Sequence, residues 1–243
     1  MIAQSRPILE VCVQSPTDSA LAYEGGADRV ELCQAIELGG LTPSSGAIAA
    51  TCKASPLPVI VLTRPRAGDF VYSSAEIDCV TRDIEQLKAL GVCGVAIGAL
   101  TASGDIDSAA IEAWTAAGHG LELVFHRAFD SCRAPLEALD LLAQLGIDRV
   151  LSSGGAATAA EGSDQLAAWT ELCRGRLEIL PGGSIRADNA ATLLAKTGAR
   201  GLHFRAPKLR NRDQAAHPLG SSDTGLHEVT DPEVVRAIRQ AVS

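Results

Sequence analysis

Apolar residues follow two rhythms along this chain. Short runs rich in Val, Ile and Leu predict strands at 9–13, 29–33, 59–63, 94–98, 121–126, 149–152, 177–181 and 201–205. Between them, apolar positions recur at three- and four-residue steps. Ile77, Val80, Ile84, Leu87 and Leu90 share one helical face; Leu136, Leu139, Leu142, Ala143 and Leu145 share another, and Leu193 and Leu194 lie in a shorter helix. One junction phrase repeats: Gly26-Ala-Asp-Arg-Val30, Leu90-Gly-Val-Cys-Gly-Val95, Leu145-Gly-Ile-Asp-Arg-Val150 and Thr197-Gly-Ala-Arg-Gly-Leu202. In each, a glycine suits the left-handed close of a helix, a short link follows, and an apolar strand begins.

Eight alternating βα units predict an α/β fold of the (β/α)8 TIM-barrel type, in a single domain over residues 1–243. No GxGxxG follows the first strand, which argues against a dinucleotide-binding domain. No Pro/Gly/Ser linker divides the middle of the chain. Residues 207–230 are polar and contain Pro218, Gly220 and Gly225, so they predict a long loop after strand eight. A closing helix is expected over 231–242, with Asp231 as its cap and Pro232 in its first turn.

Composition narrows the class. Of 243 residues, 47% are hydrophobic and only 3% aromatic, so the core must be aliphatic. A net charge of −8 disfavours nucleic acid and anionic membranes as partners. No apolar run reaches the roughly 18 residues of a membrane span, and Met1 to Pro7 lack a signal-peptide core. The seven cysteines are odd in number, widely spaced and never in CxxC pairs. That pattern argues against a disulfide framework and predicts a reducing, cytoplasmic setting.

In such a barrel the chemistry gathers where strands end. Strand one carries Glu10 and Cys12, and strand two carries Glu31 and Cys33, each pair two residues apart and so on one face. A carboxylate inside a barrel is costly unless paired. These carboxylates therefore belong either to an interior ion-pair network or to a site. Strand three ends in Arg64 and Arg66 around Pro65, a rigid mount suited to a carboxylate or phosphate; alternatively Arg64 neutralises Glu10 or Glu31 and Arg66 is solvated. Strand five ends in His126, Arg127 and Asp130, where Asp130 is placed to orient His126 or to cap the next helix. Ser153 and Gly154 after strand six, and Gly182 and Gly183 after strand seven, suggest turns with backbone N–H groups open to an anion, or simply tight turns. Strand eight adds His203 and Arg205. Cys12 and Cys33 are soft ligands that neighbouring strands bring together, or else small apolar fillers.

Several of these stretches resemble the CutC copper-homeostasis family. They are Leu9-Glu-Val-Cys12, Gly25-Gly-Ala-Asp-Arg-Val-Glu-Leu-Cys33, Gly39-Gly-Leu-Thr-Pro-Ser44, Arg64-Pro-Arg66 with Gly68-Asp-Phe70, Phe125-His-Arg-Ala-Phe-Asp130, Pro181-Gly-Gly183 and Val229-Thr-Asp231. The resemblance implies a cytoplasmic, homo-oligomeric TIM barrel linked to copper homeostasis, with Cu(I) assigned to the positions of Cys12 and Cys33. After strand eight the chain departs from the family pattern, with Phe204, Arg205, Ala206 and Pro207 following His203.

Two functions remain open on these residues, with a third, a non-catalytic metabolite sensor, using the same pocket. In the first, Cys12 and Cys33 hold Cu(I). In the second, the barrel is a lyase, isomerase or hydrolase acting on a small phosphorylated or carboxylated metabolite. There Glu10, Glu31 or His126 moves a proton with Asp130 orienting His126, while Arg64, Arg66, Arg127, Ser153, Gly154, Gly182, Gly183 and His203 bind the substrate. No organic cofactor is expected.

Overall fold

A computed structural model describes residues 6–211 and 226–243. Eight parallel strands form its centre: β1 (Ile8–Val13), β2 (Arg29–Leu32), β3 (Val59–Leu62), β4 (Gly94–Ile97), β5 (Glu122–Phe125), β6 (Arg149–Ser152), β7 (Glu178–Pro181) and β8 (Gly201–Phe204). Their order is β7-β6-β5-β4-β3-β2-β1-β8, and a lone parallel bridge between Gly182 and His203 brings the two ends together. Every strand predicted from the apolar runs is present, shorter or longer by one residue at some ends. The helices α1 (Pro16–Glu24), α2 (Ser45–Ala54), α3 (Ser74–Leu87), α4 (Ser108–Ala117), α5 (Pro135–Gln144), α6 (Ser163–Leu172) and α7 (Ala190–Thr197) alternate with the strands, and α8 (Pro232–Ala241) follows the last. The chain is a (β/α)8 barrel.

Local chemistry sets these boundaries. Ser73 and Glu76 form a reciprocal capping box at the start of α3, which buries Val80, Ile84 and Leu87. Asp231 caps α8 by accepting from the Glu233 N–H, and Pro232 occupies the first turn. Gly91, Gly146 and Gly198, from three of the repeated junctions, take positive φ values of 82°, 80° and 66°, which suit glycine.

Residues 207–230 are not simply a loop. Their ends pair as an antiparallel ribbon, β9 (Pro207–Asn211) with β10 (Leu226–Thr230), running from Pro207 opposite Thr230 to Asn211 opposite Leu226. Lys208 and Arg210 are polar, Leu209 between them is exposed as they are, and nothing in their own spacing signals a distant partner. Pro218, Gly220 and Gly225 lie outside the described residues.

Alternation along the strands divides the interior into two compartments. Leu9, Val11, Val30, Leu32, Val59 and Val61 point outward into the layer beneath the helices. Cys33, Ile60, Leu62, Ala96, Val124, Leu151 and Leu180 fill the barrel, with Cys12 and Ile36 against them. Below this apolar layer sits a charged one. Arg149, 2% exposed, reaches Glu10 at 3.4 Å and Glu178 at 3.7 Å, and pairs also with Glu122. Arg29 pairs with Glu10 from the neighbouring strand. Among the described residues no helix is long and apolar enough to cross a membrane.

Removing one member of a buried ion cluster strands the others. Arg149→Met should therefore destabilise the barrel by about 3–5 kcal/mol, read as a lowered urea midpoint at unchanged m-value.

Candidate functional site

The strands' C-terminal ends open into a cavity of about 730 Å³. Its walls include Cys12, Glu31, Cys33, Arg64, His126, Arg127, Gly183 and His203 from the candidates of the sequence. Phe70, Ser184, Arg186 and Arg205 join them. The two-residue strand period puts Cys12 level with Glu31, and Glu10 level with His203, on the adjacent strands β2, β1 and β8.

At the floor, Cys12 Sγ and Cys33 Sγ lie 3.6 Å apart. The hydrogen bond with Cys33, together with burial, pushes the Cys12 thiol well above its usual range. Glu31 is 5% exposed, and its Oε2 has no hydrogen-bond partner among the described residues. Burial raises its carboxyl above the usual range. His203 Nδ1 meets Glu10 Oε1 at 2.8 Å. Burial opposes a charge on this imidazole, but the charges of Glu31 and Glu10 and its hydrogen bonds to Cys12 and Glu10 prevail, holding its pKa well above the normal value. Burial likewise pushes Glu10 up; His203, Arg29 and Arg149 outweigh it and keep its carboxyl down at about 2.

Glu10 therefore does not face the cavity. It lies fully buried beneath it, supporting His203, and so is a structural member of the charged layer rather than a proton carrier at the surface of the site. Arg64 lines the cavity but neutralises neither Glu10 nor Glu31. Its guanidinium donates to the carbonyls of Leu38, Gly40 and Gly68 and stacks over Phe70 at 5.0 Å. Its Nε remains without a partner among the described residues. Arg66 lies outside the cavity wall, held by Glu76, Asp69 and the carbonyl of Val71.

On the opposite wall His126 is 6% exposed. Its Nδ1 accepts from the Ala128 N–H at 3.1 Å, which assigns the ring proton to Nε2. Nε2 has no partner among the described residues. Burial, reinforced by Arg64, lowers the His126 pKa to about 3. Its place depends on Gly98: a Cβ there would sit 2.4 Å from the ring. Asp130 does not orient this imidazole. It accepts from Ser152 Oγ at 2.5 Å, from Ser153 N and Oγ, from Gly155 N and from Arg127 Nε at 2.7 Å, so it ties the loop after β5 to the loop after β6.

That knot also accounts for the turn after β6. The N–H groups of Ser153 and Gly154 donate to Asp130 and Ser152 Oγ, and neither residue lines the cavity. Gly182 spends its N–H on the Ser152 carbonyl, which extends the β6–β7 ladder. Sequence spacing places these glycines correctly at strand ends, but it does not show that neighbouring loops already use their donors. Ser184 and Arg186 were not among the sequence candidates. Ser184 takes φ +56°, uncommon for a residue with a side chain, and the exposed Arg186 guanidinium has no partner among the described residues. The Ile185 and Arg186 that follow the Gly182–Gly183 pair carry no motif of their own.

The CutC family profile matches residues 7–207. The chain belongs to the CutC family. A CutC family protein of Glaesserella parasuis is 36% identical over 97% of this chain and 98% of its own. One from Caulobacter vibrioides is 40% identical over 87% of this chain and 94% of its own. The crystal structure of CutC from Streptococcus agalactiae, a protein named for copper homeostasis, matches with a TM-score of 0.77 and 33% identity, covering 82% of this chain and 98% of that one. Thiamine phosphate pyrophosphorylase of Pyrococcus furiosus, at 16% identity and a TM-score of 0.59, shares the fold.

A histidine whose folded pKa lies below its unfolded value of 6.5 takes up a proton only on unfolding. Its contribution to stability is complete above pH 6.5 and is lost as pH falls from there toward 3. His126→Asn keeps an acceptor for the Ala128 N–H without a titrating ring. Its stability curve should be flatter than that of the unsubstituted protein over this window, by up to about 1.4 kcal/mol per pH unit. Urea melts across the pH series measure this, and parallel curves would contradict the assignment.

Proposed function

We propose that this protein binds Cu(I) at the floor of the barrel mouth, through Cys12 and Cys33, and serves copper handling. The 3.6 Å approach of the two sulfurs carries this reading. With metal–sulfur bonds of about 2.3 Å, two sulfurs on one ion lie no more than about 4.6 Å apart, so the pair suits a single soft ion. Thiolates select Cu(I) over hard cations. Cys12 is partly accessible from the cavity and Cys33 is buried beside it, which leaves a path for the metal. The raised Cys12 thiol must lose its proton on binding, so uptake is coupled to proton release. The kinship with a CutC named for copper homeostasis agrees with this role. In it the metal is cargo.

Titration with Cu(I) against a competing chelator tests the reading. Cys12→Ser and Cys33→Ser should each weaken binding by more than about 100-fold, beyond what loss of an outer partner costs. Retention of tight binding in either variant would refute the two-sulfur site.

A second reading has its own support. The cavity is far larger than one ion requires, and it presents the His126 Nε2–H, unpartnered among the described residues, together with Arg186. These groups suit a small phosphorylated or carboxylated metabolite, with His126 donating to an oxygen and Arg186 balancing its charge. A ligand at 100 times its Kd raises stability by about 2.7 kcal/mol. A thermal-shift screen of such metabolites should therefore give a marked rise in Tm that His126→Asn and Arg186→Ala both abolish.

A further inference from the structure

The floor of the cavity holds a second set of metal ligands that does not use Cys33. We infer that Cys12, Glu31 and His203 form a site for one divalent cation of the zinc class, with an open coordination position facing the cavity. This goes beyond the copper reading and does not rest on it, because the ion and two of the three ligands differ.

Four observations converge. Cys12 Sγ, a Glu31 carboxylate oxygen and a His203 ring nitrogen all lie within 4.8 Å of one another. Ligands in a tetrahedral zinc shell are roughly 3.5 Å apart, given bonds of 2.0–2.3 Å, so small side-chain rotations gather all three. Next, Glu31 Oε2 is buried without a hydrogen-bond partner among the described residues. A buried carboxylate oxygen left unmatched is expensive, and an arriving cation removes that cost.

The third observation concerns His203. Its Nδ1 is engaged by Glu10 at 2.8 Å, which leaves Nε2 as the ligating nitrogen. Glu10 is itself fixed by Arg29 and Arg149. A carboxylate behind the imidazole, locked by its own ion pairs, is the arrangement that orients a metal-bound histidine and strengthens it as a ligand. A two-cysteine copper site has no need of it.

The fourth is charge. Glu10, Glu31, Glu122 and Glu178 face two guanidiniums, Arg29 and Arg149, in and just below this floor. With Cys12 ionised and His203 neutral, both ligating, three negative charges are in excess, and a divalent ion offsets two of them. A single sulfur, a single imidazole and a single carboxylate make a borderline donor set, which favours Zn²⁺ or Co²⁺ over Mg²⁺ or Ca²⁺. Three protein ligands leave one position open, as in catalytic rather than structural zinc sites. That position faces the 730 Å³ cavity, with His126 and Arg127 also in its wall, and suits water or an anionic oxygen of a small ligand. Cys12 belongs to both ligand sets, so Zn²⁺ and Cu(I) exclude each other.

The test uses the full-length, metal-stripped protein with Zn²⁺ and Co²⁺ as probes, by calorimetry and by absorption spectroscopy. One Zn²⁺ should bind per chain. Co²⁺ should give a thiolate-to-metal charge-transfer band and the intense visible bands of a four-coordinate ion. Glu31→Gln should lower Zn²⁺ affinity by at least about tenfold while leaving Cu(I) affinity unchanged. This near-isosteric variant should remain folded, as circular dichroism and a urea melt of the metal-free protein would show. Cys33→Ser should do the reverse, keeping Zn²⁺ affinity and the cobalt spectrum while losing Cu(I). The inference is overturned if the protein binds no Zn²⁺, if Glu31→Gln binds it unchanged, if the cobalt complex lacks the thiolate band, or if Cys33→Ser abolishes Zn²⁺ binding. Failure of Cu(I) binding alone leaves it standing.

Discussion

The buried carboxylate of Glu10 is the constraint around which the barrel interior is arranged. A fully buried charge is tolerated only where opposite charges and hydrogen bonds surround it. Arg29 and Arg149 meet it from neighbouring strands and from across the barrel, and His203 meets it from above. Those partners belong to β2, β6 and β8, so one side chain fixes three strands relative to a fourth. The same contact sets the orientation of the imidazole at the floor of the cavity. Stability of the cylinder and geometry of its mouth thus share one group.

Around the mouth, arginines divide by what they already hold. Arg64 organises backbone carbonyls of the loops after β2 and β3, Arg66 is bound to acidic neighbours, and Arg127 is knotted to Asp130 and Ser153. These guanidiniums build the wall. Arg186 and the Nε2–H of His126 keep capacity for something that enters. The floor is different in character, combining sulfur, imidazole and an unmatched carboxylate within a few ångströms.

Much of this was legible in the sequence because periodicity is a local property. The runs around Val59 and Val95 and the helical steps from Ile77 to Leu87 gave the βα rhythm, and the barrel followed from their number. The pairs Glu10/Cys12 and Glu31/Cys33 were placed on the inward face by the two-residue period alone. The level each residue occupies was hidden. Glu10 and Glu31 look equivalent in sequence, yet strand stagger puts one under the floor and the other in it. Loop partnerships were hidden too: Asp130 is bound across the gap to Ser153 rather than to nearby His126. The ribbon formed by β9 and β10 was hidden as well, because its two short strands are largely exposed, carry many polar residues and show no apolar alternation.

The closure of the cylinder has a consequence for the imidazole at its floor. Between β7 and β8 the described residues contribute one backbone bridge, Gly182 with His203, whereas the neighbouring pairs share ladders. His203 therefore stands on the lip of the least-stitched join in the ring, steadied from its other side by the acid below. The imidazole at the floor thus takes its position from β1, through Glu10 and the β1–β8 ladder, far more than from β7.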